Sequence, residues 1–345
     1  MTPRLLPRWL AGAVMALSLA LVMPAARSDD RAEAERWIER MGVALERLNY
    51  EGTLVELAGQ QATVMRVVHR HERGMTSERL TAIDGVGREI IRHGDEVTCI
   101  LPDQRTVLVD RRDNVPGSTS RLRARFGGRP VFPAAHYRLA LEPGPVLAAR
   151  PTQLLVVEPT DGLRYGYRLW LDDETALPLR LQVAGDGGAV VEQVLFADIR
   201  VGEPIADAAV RASQPTDGYT WRQARPVPVT GAVPAPWAAV RLPPGFVQQA
   251  ATTKPGRSAA PVTQLVYSDG AATVSVFIEP DAGADVPGAG SATEGHGGTR
   301  LGSASVFTLV RSGHRVTAMG EVPAPTVEMI ARAMGPAPVA DARSR

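Results

Sequence analysis

Residues 163–172, with the sequence Leu-Arg-Tyr-Gly-Tyr-Arg-Leu-Trp-Leu-Asp, decide the fold class of this chain. From Leu163 to Leu171 every odd-numbered position is apolar or aromatic, and the positions between them are Arg, Gly, Arg and Trp. Side chains of a strand alternate between two faces, so this pattern predicts a strand with one face on a core. The polar run from Asp172 to Thr175 then turns the chain back and predicts a hairpin.

Similar hairpin patterns lie on both sides of this stretch. Apolar runs separated by turn signals such as Asp84-Gly85 recur every 8–12 residues, as in an antiparallel meander. The predicted strands are residues 53–57, 63–70, 75–83, 88–92, 96–101, 106–110, 153–158, 163–171, 178–183 and 190–199. Residues 114–148 carry many Gly and Pro and predict a long loop region with a short helix.

One amphipathic helix precedes the meander, over residues 30–48. Its apolar stripe has helical spacing and consists of Ala34, Trp37, Ile38, Met41, Leu45 and Leu48. A long antiparallel sheet with one long apolar helix usually wraps around that helix. We therefore expect an α+β, β-rich fold in which an open half-barrel lies over the helix, and this interior is either filled or a ligand cavity.

A second, smaller unit follows a change in composition. Residues 213–236 are rich in Pro and predict an interdomain linker between a first domain, 29–212, and a second domain, 237–335. In the second domain we expect two hairpins, 263–278 and 305–321, and a final helix with Pro325 at its first position. Residues 336–345 are expected to be a flexible tail.

The N-terminus predicts export. Arg4 and Arg8 precede the apolar run 10–22, and small residues follow, so residues 1–28 are expected to be a signal peptide cleaved after Ala26 or Ser28. The chain has 38 Lys+Arg and 37 Asp+Glu, a net charge of +1, and removal of three arginines makes the mature charge +1 − 3 = −2. This balance excludes a typical nucleic-acid binder.

Catalytic and metal-binding motifs are absent from the sequence, so we expect no enzyme, no metal site and no cofactor. Cys99 is expected to be a small buried residue, because it has no second Cys and no signature of a nucleophile around it. His69 and His71 share a strand face without a third ligand, and a solvated face is the preferred interpretation.

Two charged groups lie on the hairpin around the predicted strand 163–171. Arg164 and Arg168 share one strand face, which favours a solvated outer face over an anion site. The acidic run Asp172-Asp173-Glu174 lacks the spacing of a calcium loop and is expected to be a hairpin tip.

Several motifs, taken together and in order, resemble those of the RseB/MucB proteins. They are Tyr50-Glu51-Gly52-Thr53, Glu78-Arg79-Leu80, Arg88-Glu89-Ile90-Ile91, residues 164–172, Leu242-Pro243-Pro244-Gly245-Phe246, Tyr267-Ser268-Asp269-Gly270, Val274-Ser275-Val276-Phe277 and Gly320-Glu321-Val322-Pro323. The resemblance implies a non-enzymatic periplasmic regulator. Such a protein binds the periplasmic segment of an RseA/MucA-type anti-sigma factor and shields it from the site-1 protease.

The resemblance also implies a larger domain similar to the lipoprotein carriers LolA and LolB, with acyl lipid or lipopolysaccharide as a further ligand. A lipid or lipoprotein carrier of that type is the alternative function, an exported hydrolase is a remote third, and the oligomeric state, including a homodimer, stays open. The lipid-cavity candidates are Trp37, Met41, Leu45, Tyr165, Tyr167 and Leu169. The partner-binding candidates are Phe246, Tyr267, Asp269, Phe277 and Glu321.

Overall fold

A computed structural model describes residues 26–83, 85, 87–111, 126, 130–223, 237–255, 261–281 and 297–336. The predicted signal peptide up to residue 25, the linker from 224 and the tail from 337 lie outside these ranges. Across the ranges that are described, no helix is long and apolar enough to cross a membrane.

Among the residues that the structure describes, the first part of the chain forms a long helix and twelve strands. They are α1 Ala26–Arg47, β1 Tyr50–Ala58, β2 Gln61–Glu72, β3 Met75–Ala82, β4 Glu89–His93, β5 Glu96–Leu101, β6 Thr106–Arg111, β7 Tyr137–Pro143, β8 Thr152–Pro159, β9 Gly166–Asp172, β10 Pro178–Ala184, β11 Val190–Val201 and β12 Thr220–Gln223. They build one sheet in the order β12-β6-β5-β4-β3-β2-β1-β11-β10-β9-β8-β7. All neighbours are antiparallel except β12, which runs parallel to β6.

This sheet curves around α1. The helix contacts β7, at one edge, and also β2, which lies six places away in the strand order. In a flat sheet that separation would be about 29 Å, whereas a helix with its side chains is only about 10–12 Å wide. The sheet is therefore an open, strongly curved half-barrel.

Side chains at both faces of α1 fix it in the concave side. Its apolar stripe, with Ala34 and Met41 fully buried, enters the main core. Arg31 donates to the carbonyl oxygens of Phe132 (2.5 Å) and Tyr137 (3.0 Å), beside β7. Arg40 donates to the carbonyl of Glu174 (3.0 Å), in the β9–β10 turn.

The second part of the chain forms a smaller sheet covered by one helix. Its elements are β13 Trp237–Ala239, β14 Val247–Pro255, β15 Pro261–Ser268, β16 Thr273–Pro280, β17 Gly297–Leu301, β18 Ala304–Arg311, β19 His314–Gly320, α2 Ala324–Ala333 and β20 Met334–Pro336. The six-stranded sheet has the order β14-β15-β16-β19-β18-β17, and β13 pairs with β20. Val327, Ile330 and Ala331 of α2 are buried against it. The predicted β-rich α+β fold with a smaller second unit is confirmed.

In the first part of the chain, two strands lie where the sequence predicts none. β7 falls within the predicted loop region 114–148, and β12 falls within the predicted linker. Residues between β11 and β12 run back over the sheet: Arg79 donates to the carbonyl of Arg211 (2.9 Å), and the Ser213 amide donates to Glu89 (3.0 Å). The first part of the predicted linker thus belongs to the first domain, because its contacts are to strands more than 100 residues earlier.

Candidate functional site

The half-barrel interior holds all six lipid-cavity candidates in one apolar cluster. Met41 and Leu45 enter it from α1, while Tyr165, Tyr167 and Leu169 enter from β9 and the residue before it. Trp37 is half-buried at the margin of the cluster, with the guanidinium of Arg40 4.2 Å from its ring centroid.

This interior is packed at its centre. Met41 and Leu169 have 0% of their surface exposed and Leu45 has 1%. A void that could hold a water molecule would expose part of the side chains around it, so these three side chains border no such void. Whatever ligand enters here must displace side chains.

An aromatic group that sequence reasoning did not single out completes the interior. Phe126 packs edge-to-face on Tyr167 at 5.6 Å, and Phe132 packs on Tyr137 at 5.2 Å. Phe126, Phe132 and Tyr137 all come from the region predicted as a loop. Isolated aromatic residues in that Gly- and Pro-rich region were the available signal, since large aromatic side chains are seldom left in solvent.

The buried Tyr165 hydroxyl has no hydrogen-bond partner among the described residues. A polar group left unpaired in an apolar interior is unfavourable. It is therefore the point in this part of the interior where a polar ligand atom would be stabilised.

The junction between the two domains contains two of the five partner-binding candidates, Asp269 and Phe246. Asp269, in the turn between β15 and β16, accepts from Arg164 of the first domain, with Nε and Oδ2 2.5 Å apart. Both side chains are fully buried. The Tyr137 hydroxyl also donates to Asp269 at 3.3 Å. Burial and the neighbouring Asp269 carboxylate raise the pKa of Tyr137 well above its usual range, so Tyr137 remains a proton donor.

The segment that resembles the family motif 242–246 closes the other side of the same junction. Arg164 also donates to the carbonyl of Pro244, and its guanidinium lies 5.1 Å from the ring centroid of Phe246. Gly245 has a φ of +81°, and the His136 ring fills the space that a Cβ would need. Only glycine suits this position. The motif therefore serves domain docking.

Two further contacts cross the junction. The Ser303 hydroxyl donates to the buried carboxylate of Glu192 at 2.5 Å, and the Thr326 hydroxyl donates to the carbonyl of Leu163 at 2.7 Å. Between these contacts Ala271 packs against the apolar cluster of the first domain. The second domain thus covers the end of the half-barrel where β9 begins.

The partner-binding candidates divide into two groups by exposure. Phe246, Tyr267 and Asp269 are buried at 4%, 1% and 7% exposure. Phe277 and Glu321 are half-buried. In this arrangement a partner can reach only the second group.

The structure corrects the predicted environments of Arg164 and His69 and confirms the predicted burial of Cys99. Arg164 is not on a solvated face, because Asp269 and Asp161 bind it in the junction. His69 is also fully buried, since its ring stacks on Tyr50 and its Nδ1 lies 2.8 Å from the carbonyl oxygen of Leu48. Cys99 is buried, as expected, and burial raises the pKa of its thiol.

Residues that the structure describes also line cavities outside the apolar interior. One, of about 340 Å³, adjoins the junction and is lined by Glu158, Asp161, Arg164, Arg168 and the turn 185–188. Another, of about 590 Å³, lies between β4, β5 and the crossing segment at Asp207 and Arg211. In the part of the chain that the structure describes, no three His, Cys, Asp or Glu side chains group as a metal site requires.

Comparison with known proteins gives a match along both domains. Residues 33–214 match the MucB/RseB N-terminal domain and residues 232–335 match the MucB/RseB C-terminal domain. The chain is 30% identical over 325 residues to the sigma factor AlgU regulatory protein MucB of Pseudomonas aeruginosa, covering 94% of this chain and 96% of that protein. It is 25% identical over 330 residues to the sigma-E factor regulatory protein RseB of Salmonella typhimurium, covering 94% and 96%.

A solved structure agrees with these sequence matches. The crystal structure of MucB in complex with MucA(peri) superposes with a TM-score of 0.66 at 27% identity, covering 89% of this chain and 100% of that chain. The same two domains, in the same order, are therefore shared in sequence and in structure. This chain belongs to the MucB/RseB family.

Proposed function

We propose that this protein is a periplasmic regulator that binds the periplasmic segment of a transmembrane anti-sigma factor and shields it from the site-1 protease. The observation that carries the proposal is the correspondence of both domains with MucB, a protein whose structure is solved with MucA(peri) bound. The predicted signal peptide supports the location. Occlusion of a peptide is a binding task, which fits a regulator without catalytic activity.

The half-exposed face of the small sheet is the proposed contact surface. Phe277 shares this face with Ser275, whose register partners are Val266 on β15 and Met319 on β19. Met319 in turn pairs with Val306 on β18. Because α2 packs on the opposite face, these apolar side chains remain open to a partner, with Met319 41% exposed. Aromatic and Met side chains are enriched where proteins bind one another.

The test is titration of the mature protein with the periplasmic segment of the anti-sigma factor from the same organism. We expect saturable binding by calorimetry and slower cleavage of that segment by the organism's site-1 protease. A segment with scrambled sequence is the control. Absence of binding together with unchanged cleavage would refute the proposal.

A lipid ligand in the half-barrel is a second part of the proposal. The unpaired Tyr165 hydroxyl favours an acyl chain with a polar end, bound among Trp37, Met41, Leu45, Tyr167 and Leu169 after displacement of the packed core. Native mass spectrometry of the purified protein tests it: a retained acyl mass that the Tyr165→Phe variant retains less supports the site, and equal retention by both proteins contradicts it.

The junction favours the regulator over a carrier of the LolA/LolB type. A carrier needs only the half-barrel, whereas here a second domain is docked through a buried ion pair. A transfer assay between vesicles separates the two functions, because a regulator moves no lipoprotein between membranes. Homodimerisation stays a proposal, to be checked by sedimentation.

A further inference from the structure

The two charged residues at the centre of the junction each divide their hydrogen bonds between the domains. Asp269 uses Oδ1 inside its own turn, where it accepts from the amides of Ala271 (3.0 Å) and Ala272 (2.7 Å). It uses Oδ2 across the junction, towards Arg164 and Tyr137. Half of the carboxylate therefore shapes the turn, and half joins the domains.

Arg164 is divided in the same way. Its Nη1 donates to Asp161 of its own domain at 2.6 Å, while Nε and Nη2 donate across the junction to Asp269 and the carbonyl of Pro244. If the domains separate, Arg164 keeps Asp161 and Asp269 keeps its turn. The ion pair can therefore separate without a change in the local structure around either residue.

Further hydrogen bonds cross the junction beside the small apolar contact of Ala271 and the Phe246 ring. Ser303 with Glu192 and Thr326 with Leu163 are hydrogen bonds that water can replace on separation. A buried ion pair adds little net stability, because the desolvation of both charges offsets their attraction. Domain interfaces that are polar rather than apolar favour relative motion of the domains. Ala271 adds one small apolar contact with the first-domain cluster.

We propose that the two domains exchange between this closed arrangement and an open one. The Arg164–Asp269 ion pair, called the clasp below, stabilises the closed state and so sets the populations of the two states. In the closed state Ala271 covers the end of the half-barrel, and Phe246 is buried beside Arg164. Opening exposes both and gives access to the apolar interior at Tyr165. This exchange requires no anti-sigma factor, so its test is independent of the test for anti-sigma binding.

The Asp269→Asn variant isolates the clasp. An Asn side chain keeps the oxygen that accepts from Ala271 and Ala272, but it places an amide donor against the Arg164 guanidinium. The matched control is Asp281→Asn, which breaks the ion pair with Arg315 (3.0 Å) inside the second domain. Circular dichroism verifies that both variants are folded.

A reversible lock provides the second variant. A Cβ at Gly302 would lie 3.4 Å from the Cβ of Ala58 across the junction, close to the spacing of a disulfide. Gly302 has a φ of +61°, so a Cys there strains the backbone equally in the oxidised and the reduced protein, and the comparison between these two states is unaffected. Ala58→Cys with Gly302→Cys, in a Cys99→Ala background, therefore joins the domains when oxidised and frees them when reduced. The lock is made with and without Asp269→Asn.

The readouts are the radius of gyration by small-angle X-ray scattering and the fluorescence of 1-anilinonaphthalene-8-sulfonate, which reports exposed apolar surface. Asp269→Asn is expected to enlarge the radius and raise the fluorescence at least threefold over Asp281→Asn. Oxidation of the lock should reverse both effects, and reduction should restore them. If the two Asn variants behave alike, or if the oxidised lock leaves the Asp269→Asn signals unchanged, the clasp is refuted, since the signals would then be absent or come from unfolding.

Discussion

Arg150 and Asp172 form a bidentate ion pair at the C-terminal end of β9. Arg150 Nε lies 2.8 Å from Oδ1 of Asp172, and Nη2 lies 3.0 Å from Oδ2. The Asp172 side chain is 1% exposed, and it also accepts from the Thr175 amide (3.0 Å) in the turn to β10. The predicted hairpin tip is thus a buried, charge-assisted turn that joins β9 to the segment before β8.

Replacement of Asp172 by Asn should destabilise the first domain by about 2 kcal/mol, because the Arg150 charge loses its buried partner and keeps only the exposed Glu174 carboxylate. Urea unfolding followed by circular dichroism measures this change. The matched control is Asp173→Asn, one position along, whose exposed side chain accepts from Gln153. We expect a change of no more than about 0.5 kcal/mol for the control. Equal effects of the two substitutions would contradict the assignment.

The same pair predicts a pH dependence. Burial alone would raise the pKa of Asp172, but the hydrogen bonds from Arg150 and Thr175 outweigh burial and hold the pKa below its usual value. The unfolded carboxyl titrates near about 3.9. The stability from the pair is therefore complete above about pH 5 and is lost as the pH falls through the folded pKa. The difference in unfolding free energy between wild type and Asp172→Asn should shrink between pH 5 and pH 2, and a constant difference would exclude this linkage.

Gly320 should tolerate no side chain. It pairs with Val274 across β16 and β19, and an added Cβ would meet the Thr273 carbonyl oxygen and lie 3.1 Å from Val274 Cα. Backbone atoms in a paired strand cannot move aside, so Gly320→Ala should cost the second domain about 2 kcal/mol. Gly335→Ala, in the same domain with no atom within 4 Å of the added Cβ, should be close to neutral. Thermal unfolding compares the two variants.

Cys99 should be unreactive in the folded protein. It is 7% exposed, and burial raises the pKa of its thiol, so little thiolate is present and reagents reach it slowly. Reaction with a disulfide reagent at pH 8 should be at least about tenfold slower than in concentrated urea. Equal rates in both conditions would show that the strand around Cys99 opens readily.

Phe277→Ala should weaken binding of the anti-sigma segment by about tenfold, as expected for an aromatic anchor in an interface. The control is Met329→Ala, which removes an exposed apolar side chain from α2, on the opposite side of the sheet. Calorimetric titration compares both with wild type. A larger loss for Met329→Ala would move the binding surface to the helix.

The alternation in residues 163–171 was sufficient to predict the antiparallel sheet, and the stripe of α1 was sufficient to predict what the sheet covers. Both patterns arise because the apolar residues on one face of the element all contact the same core. β7 and β12 were not predictable in the same way. β12 has four exposed residues, and pairing with β6, far back in the chain, is what makes it a strand.

The candidate site shows the same division. The six interior candidates are brought together because each belongs to an apolar face. The sequence pattern favours a solvated face for Arg164, because its buried partner, Asp269, is 105 residues away and leaves no local signal. Phe246 and Tyr267 were expected to contact a partner, whereas the structure buries Phe246 beside Arg164 and Tyr267 in the core of the second domain. An aromatic side chain has the same sequence signal in both roles.

The short edge strand β12 also fixes how far the second domain can travel. Because Gln223 is held beside Val109 of β6, the covalent chain to Trp237 comprises only residues 224–236. Fully extended, that stretch reaches about 50 Å. A separated second domain would therefore remain at an effective concentration in the millimolar range around its docking surface. Any ligand that holds the domains apart must compete with a tethered neighbour at that concentration.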